Sequence, residues 1–264
     1  MAVLSCNFYS RARVGQQSFT VVLPLETMTQ DAPLTYTKGP WPTLYLLHGF
    51  TGNRLDWLLR SDIETWATQR GWAVVMPDGG NRFYLDNPDM GEYYGAYVGE
   101  ELVEVSRRMF PLSHERRDTA IGGLSMGGFG ALRNGLYYAD TFGSIIALSS
   151  ALITDEVAAM TPEKGGNAIA PYGFYRHTFG DLATLLGSDR DPKHLAKTRL
   201  AEENAPRIFM ACGTEDFLYA NNVDYDAFLS GLGYEHVWWR QPGVHNFAFW
   251  NQALPVAMDW LSKA

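Results

Sequence analysis

Hydrophobic and polar positions alternate at the start of the chain and then give way to continuous apolar runs. The alternation covers residues 3–9 and 17–24, which predicts a two-stranded hairpin. The continuous runs at 43–49 and 72–80 predict strands that are buried on both faces. Further strands are predicted at 118–125, 143–152, 206–216 and 234–243.

Helical patterns lie between these runs, beginning with residues 61–71. Ser61 is the expected N-cap, Glu64 follows it three residues later, and Gly71 is the expected stop. The other predicted helices cover residues 97–110, 126–139, about 220–231 and about 247–262.

Two of these helices carry a more specific expectation. In 97–110, the spacing places Leu102, Val105 and Met109 on one helical face. Pro255 lies inside the last helix and should kink it or split it, because proline has no backbone N–H to continue the hydrogen-bond ladder.

The order of strands and helices predicts the fold class. Strand and helix follow one another repeatedly, which is typical of an α/β fold with a mostly parallel central sheet, here of about eight strands, and helices on both faces. Residues 153–205 lose the regular period after the sixth strand, so we expect a cap-like insertion that carries short helices. Residues 1–264 are then expected to form a single α/β domain.

Charge and composition exclude several classes of partner. The 21 basic and 29 acidic residues give a net charge of −8, which disfavours nucleic acid and anionic membranes. No run approaches the roughly 20 apolar residues of a membrane span, and the first residues contain no secretion signal, so we expect a cytoplasmic protein. The two cysteines, Cys6 and Cys212, lie in strand-like runs and are expected to be buried free thiols.

A glycine-rich stretch carries the first candidate for chemistry. Residues 123–127 read GLSMG and fit the pattern G-x-S-x-G between a predicted strand and a predicted helix. In such a turn the glycines remove side chains that would clash, and the serine is thrust out as a nucleophile. The chain has no G-x-G-x-x-G, and no lysine follows as a phosphate-binding loop requires. Ser125 is therefore the predicted nucleophile.

A serine hydroxyl needs a base, and the base needs an acid that orients it. Among six histidines, His245 follows the last predicted strand, where the base belongs when the chain order is serine, acid, histidine. A loop histidine without a role is the alternative. Between Ser125 and His245 a strand ends at Glu215 and Asp216; we predict Asp216 as the acid, and Glu215 stays open.

An oxyanion needs preorganised N–H donors, and the sequence suggests two. One is Met126, directly after the serine, and the other is Phe50, in the loop HGFTGNRLDW after the strand at 43–47. His48 is expected to shape this loop without transferring protons. The histidines and cysteines lack the spacing of metal ligands, so neither a metal nor a cofactor is expected.

Six segments of the chain together form a recognisable set: LLHGFTGNRLDW, VVMPDGGNRFY, EELVEVSRRMFP, GGLSMGGFGAL, TFGD…GSDRD and CGTEDF…GVHNFAFW. With them, nearly the whole chain resembles the esterase D-like family, which includes tributyrin and acetyl esterases, S-formylglutathione hydrolases, feruloyl esterases and, more distantly, mycolyltransferases. The resemblance implies an α/β-hydrolase fold with the triad Ser125, Asp216 and His245. It also implies the oxyanion donors Phe50 and Met126.

The resemblance also indicates a function. It implies a serine carboxylesterase that hydrolyses short acyl esters, of the acetyl or butyryl type, through an acyl-enzyme. An S-formylglutathione-type thioesterase or a feruloyl esterase is the alternative, and a non-catalytic binding protein on the same scaffold is a third reading. A small-molecule ester is the expected partner, and a homo-oligomer is compatible with the sequence. The candidate pocket residues, each of which could equally be core packing, are Trp57, Tyr84, Phe174 and Trp250.

Overall fold

Eight strands form one central sheet in the computed structural model, which describes residues 1–29 and 32–263. Their order across the sheet is β1-β2-β6-β5-β9-β10-β11-β12; β2 is antiparallel to both of its neighbours, and all other pairs are parallel. Two short hairpins, β3–β4 and β7–β8, lie outside it and were not predicted. The strands are β1 (Ala2–Ser10), β2 (Gly15–Leu23), β3 (Glu26–Thr29), β4 (Ala32–Tyr36), β5 (Thr43–Leu47), β6 (Ala73–Pro77), β7 (Asp86–Asn87), β8 (Glu92–Tyr93), β9 (Thr119–Leu124), β10 (Ser144–Leu148), β11 (Arg207–Gly213) and β12 (His236–Gln241).

Helices cover both faces of this sheet. One face carries α1, α2 and α10, and the other carries α4, α5, α8 and α9. The predicted fold class, an α/β fold with a mostly parallel eight-stranded sheet, is confirmed. The helices are α1 (Asp56–Arg60), α2 (Ile63–Arg70), α3 (Tyr94–Ala96), α4 (Leu102–Met109), α5 (Met126–Tyr137), α6 (Thr154–Ala158), α7 (Tyr172–Phe179), α8 (Pro192–Ala201), α9 (Tyr219–Leu232) and α10 (Phe247–Leu261).

The continuous apolar runs of the sequence follow from this two-sided covering. In β5, Tyr45 and Leu47 belong to the core under one helical layer, whereas Leu44 and Leu46 belong to the core under the other. Because successive side chains of a strand point to opposite faces, a strand covered on both sides must be apolar at every position. Burial of each such side chain stabilises the fold by about 1.5–3 kcal/mol.

The start of α2 differs from the prediction, whereas its end agrees. Asp62 precedes the first helical residue, so the expected N-cap at Ser61 is wrong. The Ser61 hydroxyl instead donates to the carbonyl of Trp57, 2.5 Å away, at the end of the short helix α1 that the sequence did not predict. Gly71 is confirmed as the stop, with φ of 69° in the left-handed region that glycine adopts without strain.

The predicted helix at 97–110 is buried along only part of the expected face. Its first part, Tyr97–Glu101, is a π-helical turn, which contains an extra residue and precedes the regular helix α4. Leu102 is buried as expected, but Met109 is 48% exposed, and the buried face continues through Val103 and Ser106. The three residues share one face of α4, as predicted, and Met109 is exposed at its last residue.

The last helix is not split by its proline. α10 continues from Phe247 to Leu261 with Pro255 inside it, so that part of the expectation is wrong. Its buried side chains pack on the sheet, and this packing outweighs the loss of one helical hydrogen bond. They include Ala253, Leu254, Ala257 and Met258.

Residues 153–205 connect β10 to β11 and contain α6, α7 and α8. Aromatic side chains hold α7 against the body of the protein: Phe179 lies 5.0 Å from Phe83 and 5.7 Å from Phe129, between ring centroids. That this segment is an insertion in a single domain stays a prediction. Both cysteines, Cys6 and Cys212, are confirmed as buried free thiols. Within the described ranges, none of the helices is long and apolar enough to cross a membrane.

Candidate active site

Ser125 lies in the sharp turn between β9 and α5. Its φ of 55° and ψ of −119° are costly for a residue with a side chain, so the surrounding structure must hold them. A Cβ on Gly123 would lie 2.4 Å from the carbonyl oxygen of Gly127, and a Cβ on Gly127 would lie 2.6 Å from the carbonyl oxygen of Leu47. Both positions therefore require glycine, and the geometry is that of a nucleophile elbow.

His245 lies in the loop between β12 and α10, beside Ser125. Its Nε2 is 2.9 Å from the Ser125 hydroxyl oxygen, and its Nδ1 is 2.9 Å and 3.0 Å from the two carboxylate oxygens of Asp216. The rings of Phe217 and Trp250 pack on the imidazole, at 4.6 Å and 5.0 Å between centroids. In the part of the chain that the structure describes, the other histidines make no contact with the Ser125 hydroxyl; they are His48, His114, His177, His194 and His236.

Asp216 follows β11 and is buried against His245. Burial alone would raise the pKa of Asp216, but hydrogen bonds from His245 and from the backbone N–H of Leu218 outweigh it and hold the pKa below its ordinary value. The carboxylate is therefore ionised at neutral pH. Glu215 is exposed and accepts a hydrogen bond from the N–H of Gly243 instead. Of the two acids that the sequence left open, the structure brings Asp216 to the imidazole.

The two predicted oxyanion donors flank Ser125. Gly49 allows the loop after β5 to approach β9, because a Cβ there would lie 2.6 Å from Leu124 Cδ1. Phe50, Ser125 and Met126 line one cavity. Within residues 1–29 and 32–263, neither the Phe50 N–H nor the Met126 N–H donates a hydrogen bond. Unpaired backbone donors beside a serine hydroxyl are what an oxyanion formed there would need.

His48 orients the peptide that carries the Phe50 N–H. Its Nδ1–H donates to the Gly49 carbonyl at 2.7 Å, and its Nε2 accepts from the Gly79 N–H at 2.8 Å, so the ring is neutral. Burial lowers the pKa of His48. The Gly49 carbonyl also accepts from Gly52. Because N–H and C=O of a trans peptide point in opposite directions, the Phe50 N–H points away from the His48 ring.

A second loop, residues 78–84, supports the first. The Tyr84 hydroxyl donates to the His48 carbonyl at 3.0 Å, and the Asn81 side chain accepts from the Thr51 N–H at 2.7 Å. Asp78 accepts from the Arg54 N–H at 2.9 Å. Sequence reasoning did not find this support, although polar residues directly after strand β6 were a signal for it.

The four predicted pocket residues separate into two pairs. Phe174 and Trp250 each line a cavity that reaches Ser125. Trp57 and Tyr84 are buried and belong to the walls of neither cavity. The Trp57 Nε1–H donates to the carbonyl of Leu47 at 3.1 Å, so for these two residues the structure shows the packing alternative.

Ser149 is a further residue that the sequence did not single out. It is fully buried, and its φ of 44° is strained for a residue with a side chain. The indole N–H of Trp250 donates to its hydroxyl at 3.0 Å, and the hydroxyl helps to lower the pKa of Asp216. Ser149 therefore supports the acid beneath the imidazole. Across the described residues, His, Cys, Asp and Glu side chains form no group of three that could hold a metal ion.

The eight-stranded sheet, with a serine, a histidine and an aspartate meeting after β9, β12 and β11, defines an α/β-hydrolase of the serine type. Residues 31–261 match the family described as "Putative esterase", and the chain belongs to this family. The expected resemblance is thereby confirmed, and the protein is a serine esterase, a hydrolase of carboxylic esters.

Individual proteins agree with this assignment. An acetyl esterase of Caldicellulosiruptor saccharolyticus is 43% identical over 100% of this chain and 99% of its own length. Two solved structures from Staphylococcus aureus each cover 99% of this chain and 98% of their own. One is a substrate-bound fluorophosphonate-binding serine hydrolase, with a TM-score of 0.84 and identity of 29%. The other is an S-formylglutathione hydrolase, with a TM-score of 0.82 and identity of 29%.

Proposed function

We propose that this protein hydrolyses short-chain acyl esters, of the acetyl or butyryl type, with Ser125 as nucleophile, His245 as base and Asp216 as the orienting acid. The observation that carries the proposal is the continuous contact from the Ser125 hydroxyl to His245 Nε2, at 2.9 Å, and from His245 Nδ1 to Asp216, at 2.9 Å. The acetyl esterase that is 43% identical supports the choice of substrate.

The proposed reaction has two halves. As the Ser125 oxygen attacks the ester carbonyl, His245 Nε2 takes the hydroxyl proton, and the ionised Asp216 stabilises the imidazolium. Nε2 then gives the proton to the leaving alcohol oxygen, and the acyl group stays on Ser125. A water molecule loses its proton to Nε2 and attacks the acyl-enzyme, which releases the acid and returns the proton to Ser125.

The oxyanion formed in each half is assigned to the N–H groups of Phe50 and Met126. Removal of one such donor typically lowers kcat by about 10²–10³-fold. The hydrogen bonds from His48 and Tyr84 hold the Phe50 peptide before substrate arrives, so little reorganisation is needed in the transition state.

Ser125 and Met126 line one cavity, and its volume of about 180 Å³ limits the size of the acyl group. Ile169, Phe174 and Tyr175, from the segment 153–205, form part of its wall. Phe174 packs edge-on against Phe50, 5.6 Å between centroids, and narrows the space beside the nucleophile. This supports a short acyl chain and a covering role for the segment.

The proposed roles are tested with Ser125→Ala. We expect loss of p-nitrophenyl acetate turnover by about 10⁴-fold or more and loss of labelling by a fluorophosphonate probe, with an unchanged circular dichroism spectrum. Ser230→Ala, which removes an exposed hydroxyl on α9, is the matched control and should retain both. Turnover that survives Ser125→Ala would disprove the assignment. A non-catalytic protein would give no labelling in any variant.

A thioesterase of the S-formylglutathione type is the second candidate. The structure that is 29% identical with a TM-score of 0.82 belongs to such a hydrolase, and acyl transfer to serine accepts an alcohol or a thiol as leaving group. The ratio of kcat/KM for S-formylglutathione to kcat/KM for p-nitrophenyl acetate separates the two candidates. A ratio well above one favours the thioesterase.

A further inference from the structure

Two cavities open onto Ser125, and they share Phe50 and Ser125 in their walls. The first, of about 180 Å³, is lined by Met126 and by mostly apolar side chains such as Ile153. The second, of about 210 Å³, contains His245. We call them the Met126 cavity and the His245 cavity.

The proposed mechanism, on which this inference rests, assigns a different part of the substrate to each cavity. His245 Nε2 must hand its proton to the leaving-group oxygen, so that oxygen has to lie within hydrogen-bond reach of Nε2. His245 lines the second cavity and is not part of the first. The leaving group therefore extends into the His245 cavity, and the acyl chain extends into the Met126 cavity.

Two charged side chains line the His245 cavity, and binding of the acyl group in the Met126 cavity gives neither of them a role. Arg60 and Asp56, one turn apart on α1, both line it. The Asp56 carboxylate is half-buried and is directed at the loop, because a Cβ on Gly52 would lie 2.3 Å from its Oδ2. The Arg60 side chain is exposed and lines the same cavity.

The Arg60 guanidinium is held in place without an anionic partner. It lies over the ring of Phe247, with 4.2 Å between Cζ and the ring centroid. Among the described carboxylates, none lies within ion-pair distance of it, although many other arginines of the chain have such a partner. A guanidinium positioned by stacking keeps its N–H groups free to bind a carboxylate in a bidentate manner.

We propose that Arg60 selects substrates whose leaving group carries a carboxylate, so that the preferred substrates are short acyl esters or thioesters of hydroxy or thiol acids. The acyl group then enters the Met126 cavity, the leaving oxygen or sulfur lies beside His245, and the carboxylate pairs with Arg60 in the wall of the His245 cavity.

The test uses two acetyl esters that differ in the charge of the leaving group: 4-acetoxybenzoate and its neutral methyl ester. The measured quantity is the ratio of kcat/KM for the anionic ester to kcat/KM for the neutral ester. This ratio is determined for each variant and compared with that of wild type. In Arg60→Gln we expect this ratio to fall about tenfold, mainly through a higher KM for the anionic ester. Raising the ionic strength should lower the wild-type ratio as well.

Arg117→Gln is the matched control, because it removes the same charge from an exposed side chain that precedes β9, at the end of the sheet opposite Ser125. Its ratio should stay within about twofold of wild type. An equal ratio in wild type and Arg60→Gln would overturn the inference. The inference would also be overturned if wild type preferred the cationic ester (4-acetoxyphenyl)trimethylammonium and Asp56→Asn abolished this preference. Asp56 would then be the charge that selects the substrate. If no turnover depends on Ser125, the proposed function itself falls, which Ser125→Ala reveals separately.

Discussion

The residues that we propose to react and the wall of the Met126 cavity are built in different ways. Ser125, Asp216 and His245 each follow a strand of the same sheet, and Ser125 is further fixed by a hydrogen bond of 2.8 Å from its N–H to the carbonyl of Leu148. Part of the wall comes from the segment 153–205, whose short helices attach through side chains such as Phe174 and Phe179.

This difference indicates that separate parts of the chain set the catalytic rate and the choice of substrate. Hydrogen-bonded strands are directional and fix atoms to fractions of an ångström, whereas apolar contacts are non-directional and tolerate exchange of one side chain for another. We therefore expect changes at the strand ends to alter the rate and changes in the segment 153–205 to alter the choice of substrate.

The largest expected effect tests the strand ends. Asp216→Asn should lower kcat by about 10²–10⁴-fold, because the amide can donate to Nδ1 and favour the wrong imidazole tautomer. Glu215→Gln makes the same chemical change one residue earlier on an exposed side chain, and its kcat should stay within about threefold of wild type. Steady-state kinetics with p-nitrophenyl acetate measure both. Equal losses in the two variants would contradict the role of Asp216.

A smaller effect is expected in the segment. Phe174→Ala should open the Met126 cavity and raise the ratio of kcat/KM for p-nitrophenyl octanoate to that for the acetate by about tenfold, since each added methylene can then be buried. Tyr172→Ala, on the same helix but outside the cavity wall, is the control. A chain-length series of p-nitrophenyl esters gives the ratio, and an unchanged profile in Phe174→Ala would show that another part of the chain sets acyl length.

The smallest expected effect concerns the loop after β5. Burial lowers the pKa of folded His48, whereas an unfolded histidine has a pKa of about 6.5. The unfolded state therefore binds more protons, so the stability that neutral His48 contributes is complete above about pH 6.5 and is lost as the pH falls toward the folded pKa. The slope is at most about 1.4 kcal/mol per pH unit.

Urea unfolding between pH 5.5 and 7.5 measures this slope. His48→Gln removes the titrating group, so its free energy of unfolding should vary less with pH than that of wild type, although the variant is less stable at neutral pH. The two proteins share all their other side chains, so the difference between the two slopes isolates His48. Parallel curves would contradict the neutral, hydrogen-bonded ring.

The sequence alone determined the strand order along the chain, the elbow at Ser125 and the candidate base. These features could be predicted because each depends on a local pattern. Continuous apolar runs indicate strands covered on both faces, and the glycines at 123 and 127 indicate a turn without room for side chains. The position of His245 after the last strand followed from chain order.

Only the tertiary structure decided which side chains meet. Asp216 and Glu215 are neighbours in sequence, and the direction of the turn after β11 brings only Asp216 to the imidazole. The π-helical turn before α4 and the strained backbone of Ser149 have no local sequence pattern of comparable strength. Tyr84 gives the clearest case: its ring fills the space left by two glycines, and its hydroxyl holds a carbonyl 36 residues away in sequence. Such contacts join distant parts of the chain, and only the folded backbone brings them together.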